Sequence, residues 1–301
     1  MVVPAEVSRL VYASFGPGTR AVDCTPLAGT ARRVRLDHGR TVVLTLGPAP
    51  AAGLLRQERD PIGARARYLR IAATAGVPVP RLLHHGRDRR VHPRDWLFTA
   101  YLPGRPLTES RADRVVRHEL GAVVAALHTV PGHRFGYAGA RPHAPTWPLA
   151  FRRMVDALLA DAEAYGIRLP VAPSAVRRTV ARHADALAAV RRPVLVHCGL
   201  WDPYVLATVD GAPRLAGLLG GQHYLYGDPL LDFVAPARCR RIEDEPGHPF
   251  AEGYAAARRT PVLFDECARR RLMLYRLHAL LVMAVEARTH HAPLVAELIN
   301  G

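Results

Sequence analysis

Residues 194–233 read VLVHCGLWDPYVLATVDGAPRLAGLLGGQHYLYGDPLLDF. Val194, Leu195 and Val196 form an apolar run too short for a helix but suited to a strand, and it ends at His197 in a turn. Val205, Leu206 and Ala207 form a second such run. Asp210-Gly211 is a residue pair favoured in tight hairpin turns. A further apolar segment, 215–219, then leads to Gly227-Asp228-Pro229.

This order resembles the catalytic core of the aminoglycoside phosphotransferase and choline kinase-like family, relatives of the protein kinases. That family carries H-G-D-x-x-x-x-N, an apolar strand ending in Asp, then G-D-P-x-x-D. The resemblance implies an α+β, two-lobed protein kinase-like fold, with a β-rich lobe over residues 1–103 and a mainly helical lobe over 104–301. It extends along nearly the whole chain. Residues 32–36 and 41–46 alternate around His38-Gly39 as a hairpin would. Residues 56–75 carry Ile62, Ala66, Leu69 and Ala73 at helical spacing and stop at Gly76. Val77-Pro78-Val79-Pro80 must be extended, because proline drives the preceding residue out of the α region. Residues 96–101 read as a strand and 102–107 as the hinge between lobes. From Arg111 the pattern turns helical, with helices expected at 151–165, 175–190 and 269–288 and an apolar face from Val115 to Leu127.

What the resemblance implies for activity is altered by the residues at the motif positions. The catalytic aspartate of the family falls on Gly199, the metal-binding asparagine on Tyr204 and the second metal aspartate on Gly220. Phosphoryl transfer rests on positioning and on metal-borne charge, and magnesium takes oxygen ligands, usually carboxylates with phosphates. Two glycines and a tyrosine do not supply that set. The strand lysine that would hold the phosphates falls on Thr45, and its helix glutamate on Arg65, with Glu58 as the alternative. All 41 basic residues are arginines, which also removes lysine Schiff-base chemistry. The glycine-rich loop is reduced to Leu27-Ala28-Gly29-Thr30.

The remaining reactive side chains define a candidate site without metal or cofactor. His197 occupies the motif histidine, which in the family braces the loop. Cys198 is expected to turn toward the core by strand alternation. Tyr204 could plug the pocket or offer its phenol to a ligand. Asp202 is a turn residue, a cap or an acid/base group. Gln222 and His223 follow Gly220, and His223 is the imidazole expected near the cleft, with the pKa range of a neutral-pH acid/base. His223, Tyr204 and Asp202 are therefore the catalytic candidates, and Thr45, Arg65, Gly199, Gly220 and Gln222 the cleft. Asp228 and Asp232 resemble the family's structural pair. His84-His85 and His290-His291 lack helical metal-ligand spacing and read as surface residues.

The chain of 301 residues is 49% hydrophobic and carries a net charge of +15. No apolar run approaches the roughly 18 residues of a membrane span, and MVVPAEVSRL lacks a signal-peptide pattern, so a cytoplasmic protein is expected. Cys24, Cys198, Cys239 and Cys267 form no C-x-x-C pair and are expected to be reduced. The charge favours acidic partners unless it is only a solvated surface. Nucleic acid is disfavoured by the absence of any helix-turn-helix, zinc-finger or aromatic-basic strand motif. An arginine-rich, lysine-free composition suggests a GC-rich, actinomycete-type genome, in which proteins resembling this family act in natural-product pathways. The resulting expectation is a kinase-fold protein without kinase activity. It would bind an acidic peptide or small-molecule substrate and promote a nucleotide-independent step such as thioether closure of a dehydrated ribosomal peptide. The rival expectations are a noncatalytic partner of a biosynthetic enzyme and an atypical small-molecule kinase.

Overall fold

The computed structural model describes residues 3–49, 53–109 and 113–286. The chain begins with helix α1 (Ala5–Phe15) and the strands β1 (Ala21–Pro26), β2 (Ala31–Leu36) and β3 (Thr41–Leu46). Helix α2 (Pro61–Thr74) precedes β4 (Leu82–Gly86) and β5 (Trp96–Ala100), which complete an antiparallel sheet in the order β1-β2-β3-β5-β4. Strand alternation gives this sheet two faces. Val42, Leu44 and Leu46 of β3 are buried with Val7, Leu10 and Val11, the inner stripe of α1. Thr45 points to the other face, toward α2.

The rest of the chain is mainly helical. Strand β6 (Arg105–Pro106), helix α3 (Asp113–Leu127), β7 (Phe135–Tyr137), β8 (His143–Ala144), α4 (Trp147–Ala164), α5 (Pro173–Arg182) and α6 (Ala184–Ala188) lead to β9 (Val194–Val196). Then come β10 (Val205–Ala207), β11 (Leu215–Leu218), β12 (Leu225–Gly227), α7 (Pro249–Arg258) and α8 (Glu266–Glu286). Two small sheets, β11-β10-β6 and β8-β7-β12-β9, present the loops after β9 and β11 side by side. The α+β, β-sheet-then-helices architecture is the expected one. Among the described residues no helix is long and apolar enough to cross a membrane.

The helix expected over 56–75 begins five residues late. Residues 56–58 form a separate 3-10 turn, and Asp60, left-handed at φ 57°, caps α2 by accepting from the Gly63 amide at 3.2 Å. Pro61 at the first helical position is the signal for this start. The helix expected over 175–190 divides at His183, whose φ of −107° leaves the helical range. Arg111, Arg288 and His290-His291 lie outside the described residues. His84 and His85 are not surface residues as expected but half-buried in β4, with His84 stacked 6.0 Å from Trp96.

Helix α2 is keyed into the large lobe by one side chain. Tyr68 is fully buried, edge-on to His197 at 5.2 Å and tilted against Tyr224 at 5.9 Å. Its ring occupies the space beside Gly221, where a Cβ would lie 2.0 Å from Cδ1, and Gly221 has φ +86°. Gly221→Ala should therefore be destabilised by both backbone strain and collision, about 2–4 kcal/mol. Gly211→Ala, at φ +79° with nothing within 4 Å, should lose only the backbone part, roughly 1–2 kcal/mol. Urea unfolding of the two variants measures the difference; equal losses would contradict the seating of Tyr68 on Gly221.

Candidate functional site

The loop after β9 is held by a buried carboxylate. Asp232 accepts the backbone amides of His197 and Cys198, each at 2.8 Å, and bonds the His128 ring at 3.1 Å. Asp228 caps the short helix 229–233 through the Leu230 amide (3.0 Å) and accepts the Tyr275 hydroxyl at 2.6 Å. The two aspartates thus have the structural roles expected of them. Beyond the strand end Cys198 is left-handed (φ 55°), so strand alternation no longer governs it. Contrary to expectation it does not turn fully into the core: it is half-buried and lines a cavity beside Gly199. Burial pushes its thiol pKa far up.

That cavity, of about 100 Å³, is bounded by the loops after β9 and β11 and by one stripe of α8. Gly199, Tyr204, Gly220, Gln222 and His223 all line it. Tyr204 is 38% exposed, and a Cβ on Gly220 would lie 3.5 Å from its ring and 3.6 Å from the His197 ring. Tyr204 therefore walls the site without sealing it. The cavity lies wholly in the large lobe, not between the lobes: no residue before Tyr137 lines it. On the small-lobe side, Arg65 donates to Thr45 Oγ1 at 3.2 Å. This places Arg65, rather than Glu58, opposite Thr45; Glu58 belongs to the separate turn and accepts from the Leu55 amide. Burial lowers the Arg65 pKa. Thr45 and Arg65 are thus brought to each other and not to the cavity.

Asp202 is also placed elsewhere. It is buried, and its two carboxylate oxygens are taken by Arg117 (2.6 Å) and Arg238 (2.9 Å). It fastens the turn 202–204 and is neither an exposed turn residue nor a group free for proton transfer at the cavity.

Three imidazoles, not one, line the cavity: His197, His223 and His278. The His197 Nε2 faces the Leu219 carbonyl at 3.0 Å. A carbonyl only accepts, so Nε2 carries the hydrogen and Nδ1 a lone pair. That Nδ1 is buried, has no partner, and lies 3.5 Å from where a Gly199 Cβ would sit. His278, 2% exposed, likewise has an unpartnered Nε2. Burial lowers the pKa of all three rings, those of His223 and His278 to about 4. Glu286 stands 3.8 Å from His223 and accepts from Gln57 at 3.2 Å; its side chain is 33% exposed, and partial desolvation, with Glu58 nearby, raises it to about 7.

The cavity is thus uncharged to weakly acidic, and no arginine lines it. Magnesium and ATP would require carboxylate oxygens and cations for phosphates. Glycines at 199 and 220, a tyrosine at 204 and neutral imidazoles are the opposite donor chemistry, so the residues present do not fit that cofactor. Among the described residues no three His, Cys, Asp or Glu side chains are grouped to hold a metal.

The model of the phosphotransferase enzyme family matches residues 23–280. No curated protein matches the sequence. Among solved structures, the chain is similar to a protein assigned as a fructosamine-3-kinase from Thermobifida fusca (22% identity, 98% of this chain and 97% of that one, TM-score 0.65). It is similar to aminoglycoside phosphotransferase APH(4)-Ia in a ternary complex with AMP-PNP and hygromycin B (18%, 98% and 96%, TM-score 0.62). It is also similar to choline kinase LicA from Streptococcus pneumoniae (12%, 98% and 95%, TM-score 0.63). At these identities the likeness is one of fold.

The two perturbed groups at the cavity mouth have opposite linkage to stability. Glu286, raised from 4.5, contributes stability that is complete below pH 4.5 and lost as pH rises through about 7. His223, lowered from 6.5, contributes stability that is present above pH 6.5 and lost as pH falls through about 4. Glu286→Gln should therefore gain thermal stability relative to the parent across pH 4.5 to 7. A difference in melting temperature that stays flat across that window would contradict the raised pKa of the carboxyl.

Proposed function

The chain belongs to the phosphotransferase enzyme family, and from that premise we propose that it has given up ATP-dependent phosphoryl transfer and acts without nucleotide on a ligand held in the large-lobe cavity. The observation that carries this reading is the unpartnered Nδ1 of His197, 3.5 Å from where a Gly199 Cβ would sit, at the position to which the resemblance assigns the catalytic carboxylate. A lone pair on a neutral ring accepts a hydrogen bond from a ligand N–H, O–H or S–H. A cavity of about 100 Å³ is smaller than the ~150 Å³ engineered cavity that admits benzene, so it takes one side chain or small ring, not a nucleotide. Trp201, Val282 and Met283 supply the apolar wall.

The step we favour is thiol addition to a dehydrated residue of a ribosomal peptide, in a natural-product pathway of a GC-rich actinomycete. The thiol proton passes to Glu286 or His223, the sulfur bonds to the alkene β-carbon, and the α-carbon takes up a proton. Glu286, near pH 7, is matched to exchange protons at neutral pH. His223, near 4, is a neutral but weaker base. Four unpaired cysteines suit a reducing compartment such as the cytoplasm.

Conversion of a dehydrated, cysteine-containing peptide without nucleotide, followed by loss of alkylatable thiol, tests this reading. Glu286→Gln and His223→Ala should slow single turnover by roughly 10²-fold or more with affinity little changed. Binding without conversion would favour the noncatalytic-partner reading. The triple variant Gly199→Asp, Tyr204→Asn, Gly220→Asp should not become a kinase, since Thr45 and Arg65 remain and Gly220 has φ +86°. Appreciable phosphoryl transfer by that variant would contradict the weight placed on the small-lobe pair.

A further inference from the structure

A net charge of +15 favours acidic partners, yet the cavity has no cationic wall. The arginines converge elsewhere. Segment 234–238 separates two depressions: Val234 and Ala235 line the cavity, while Pro236 and Arg238 line a second hollow of about 230 Å³. Its charged walls are Arg114, Arg117, Arg238 and Arg240 against Asp113 and Glu245. Arg117, with its side chain 3% exposed, is fixed by Asp113 at 2.9 Å, the Pro236 carbonyl at 2.8 Å and Asp202 at 2.6 Å. Arg238 is held by Asp202 and Asp113. Arg114 and Arg240 are exposed, and their pairings to Glu252 (3.2 Å) and Glu245 (3.3 Å) are the weak surface kind that an incoming anion can displace.

The N-terminus of α7, ten residues long, opens into the same hollow through Gly247, His248 and Pro249. Pro249 has no N–H and the His248 amide donates to the Glu245 carbonyl at 3.2 Å, so this helix start offers the hollow only the partial positive charge of its dipole. His248 is the cap residue, yet its side chain makes no capping bond; it is 6% exposed, and its buried Nδ1 has no partner. This unpaired buried atom beside four arginines is a polar group whose missing hydrogen bond a ligand in the hollow can supply.

We infer that this hollow binds a phosphoryl group. Guanidinium forks from several directions match a tetrahedral anion with three acceptor oxygens better than a planar carboxylate. The site is separate from the cavity and does not rest on the reading proposed for it. Arg117 and Arg238 also grip Asp202, which opens the turn bearing Tyr204, so an occupied hollow lies one residue contact from the cavity wall.

Inorganic phosphate and O-phosphoserine, titrated at constant ionic strength and read by thermal shift and phosphorus NMR, test the assignment. The parent should show saturable binding. The double variant Arg114→Gln, Arg240→Gln, at exposed positions, should raise the half-saturating concentration about tenfold, the loss expected for charge-assisted hydrogen bonds. The control Arg33→Gln, Arg90→Gln removes the same charge from the small lobe and should change it by less than about twofold, as screening leaves little of a distant charge. Glu286→Gln and His223→Ala should leave the titration unchanged whatever they do to turnover. Tighter binding of phosphoserine than phosphate would place the phosphoryl group on a carrier, and equal binding would make it a free ion; both agree with the site. No saturation in the parent, or equal weakening by the control and the site variants, would overturn it.

Discussion

Three hydrogen bonds to the Asp232 carboxylate organise the site. The side chain is 1% exposed and receives two consecutive backbone amides and one imidazole. A buried charge is tolerated when its lone pairs are satisfied in this way. Two consecutive amides can point at one carboxylate only if the chain turns sharply, and Cys198 makes that turn in the left-handed region. The turn sets the direction of His197, and the Leu219 carbonyl then fixes its tautomer. The unpartnered lone pair beside Gly199 is thus a consequence of a structural aspartate rather than a chance rotamer.

The small lobe meets this loop with apolar and cationic groups. Tyr68 fills the space that Gly221 leaves open, and Arg65 bonds to Thr45 where the resemblance implies a lysine–glutamate pair. A lysine and a glutamate sum to no charge, whereas a threonine and an arginine leave one positive charge in a buried setting. Removing that guanidinium from water lowers its pKa and offers nothing to chelate a metal. On the reading proposed above, the residues at 45, 65, 199, 204 and 220 are mutually consistent: each stands where the resemblance implies a carboxylate, an amide or the lysine that a nucleotide would need. The surplus of arginine lies outside the cavity, on surfaces such as the hollow at the start of α7.

The architecture was legible because the signals were local. Alternation in 32–46, the prolines of 77–80 and the Gly-Asp-Pro at 227–229 each dictate backbone conformation without reference to distant residues. The break before α2 was signalled too, by Asp60-Pro61, but the apolar spacing of 56–75 ran across it. The site was legible only in part. Gly199, Tyr204, Gly220, Gln222 and His223 follow from motif spacing and do converge. Asp202 could not be told from a free acid in the sequence, because its partners Arg117 and Arg238 are 85 and 36 residues away. His278 and Glu286 were missed for a different reason. The sequence reading gives only a helix over 269–288 and no functional face for it; the cavity is lined by the stripe Tyr275, His278, Ala279, Val282, Met283 and Glu286. Polar residues at positions 278 and 286 along that otherwise apolar stripe were the available signal.

The central claim is that the donor chemistry of this kinase-fold protein no longer accommodates a magnesium nucleotide. Calorimetric titration of the parent protein with ATP and excess magnesium tests it most directly. The account predicts no saturable heat from the cleft, with any residual affinity weaker than about 1 mM, or −4 kcal/mol, and unchanged when magnesium is withheld. One-site saturation at sub-millimolar ATP that depends on magnesium and is accompanied by turnover would contradict it.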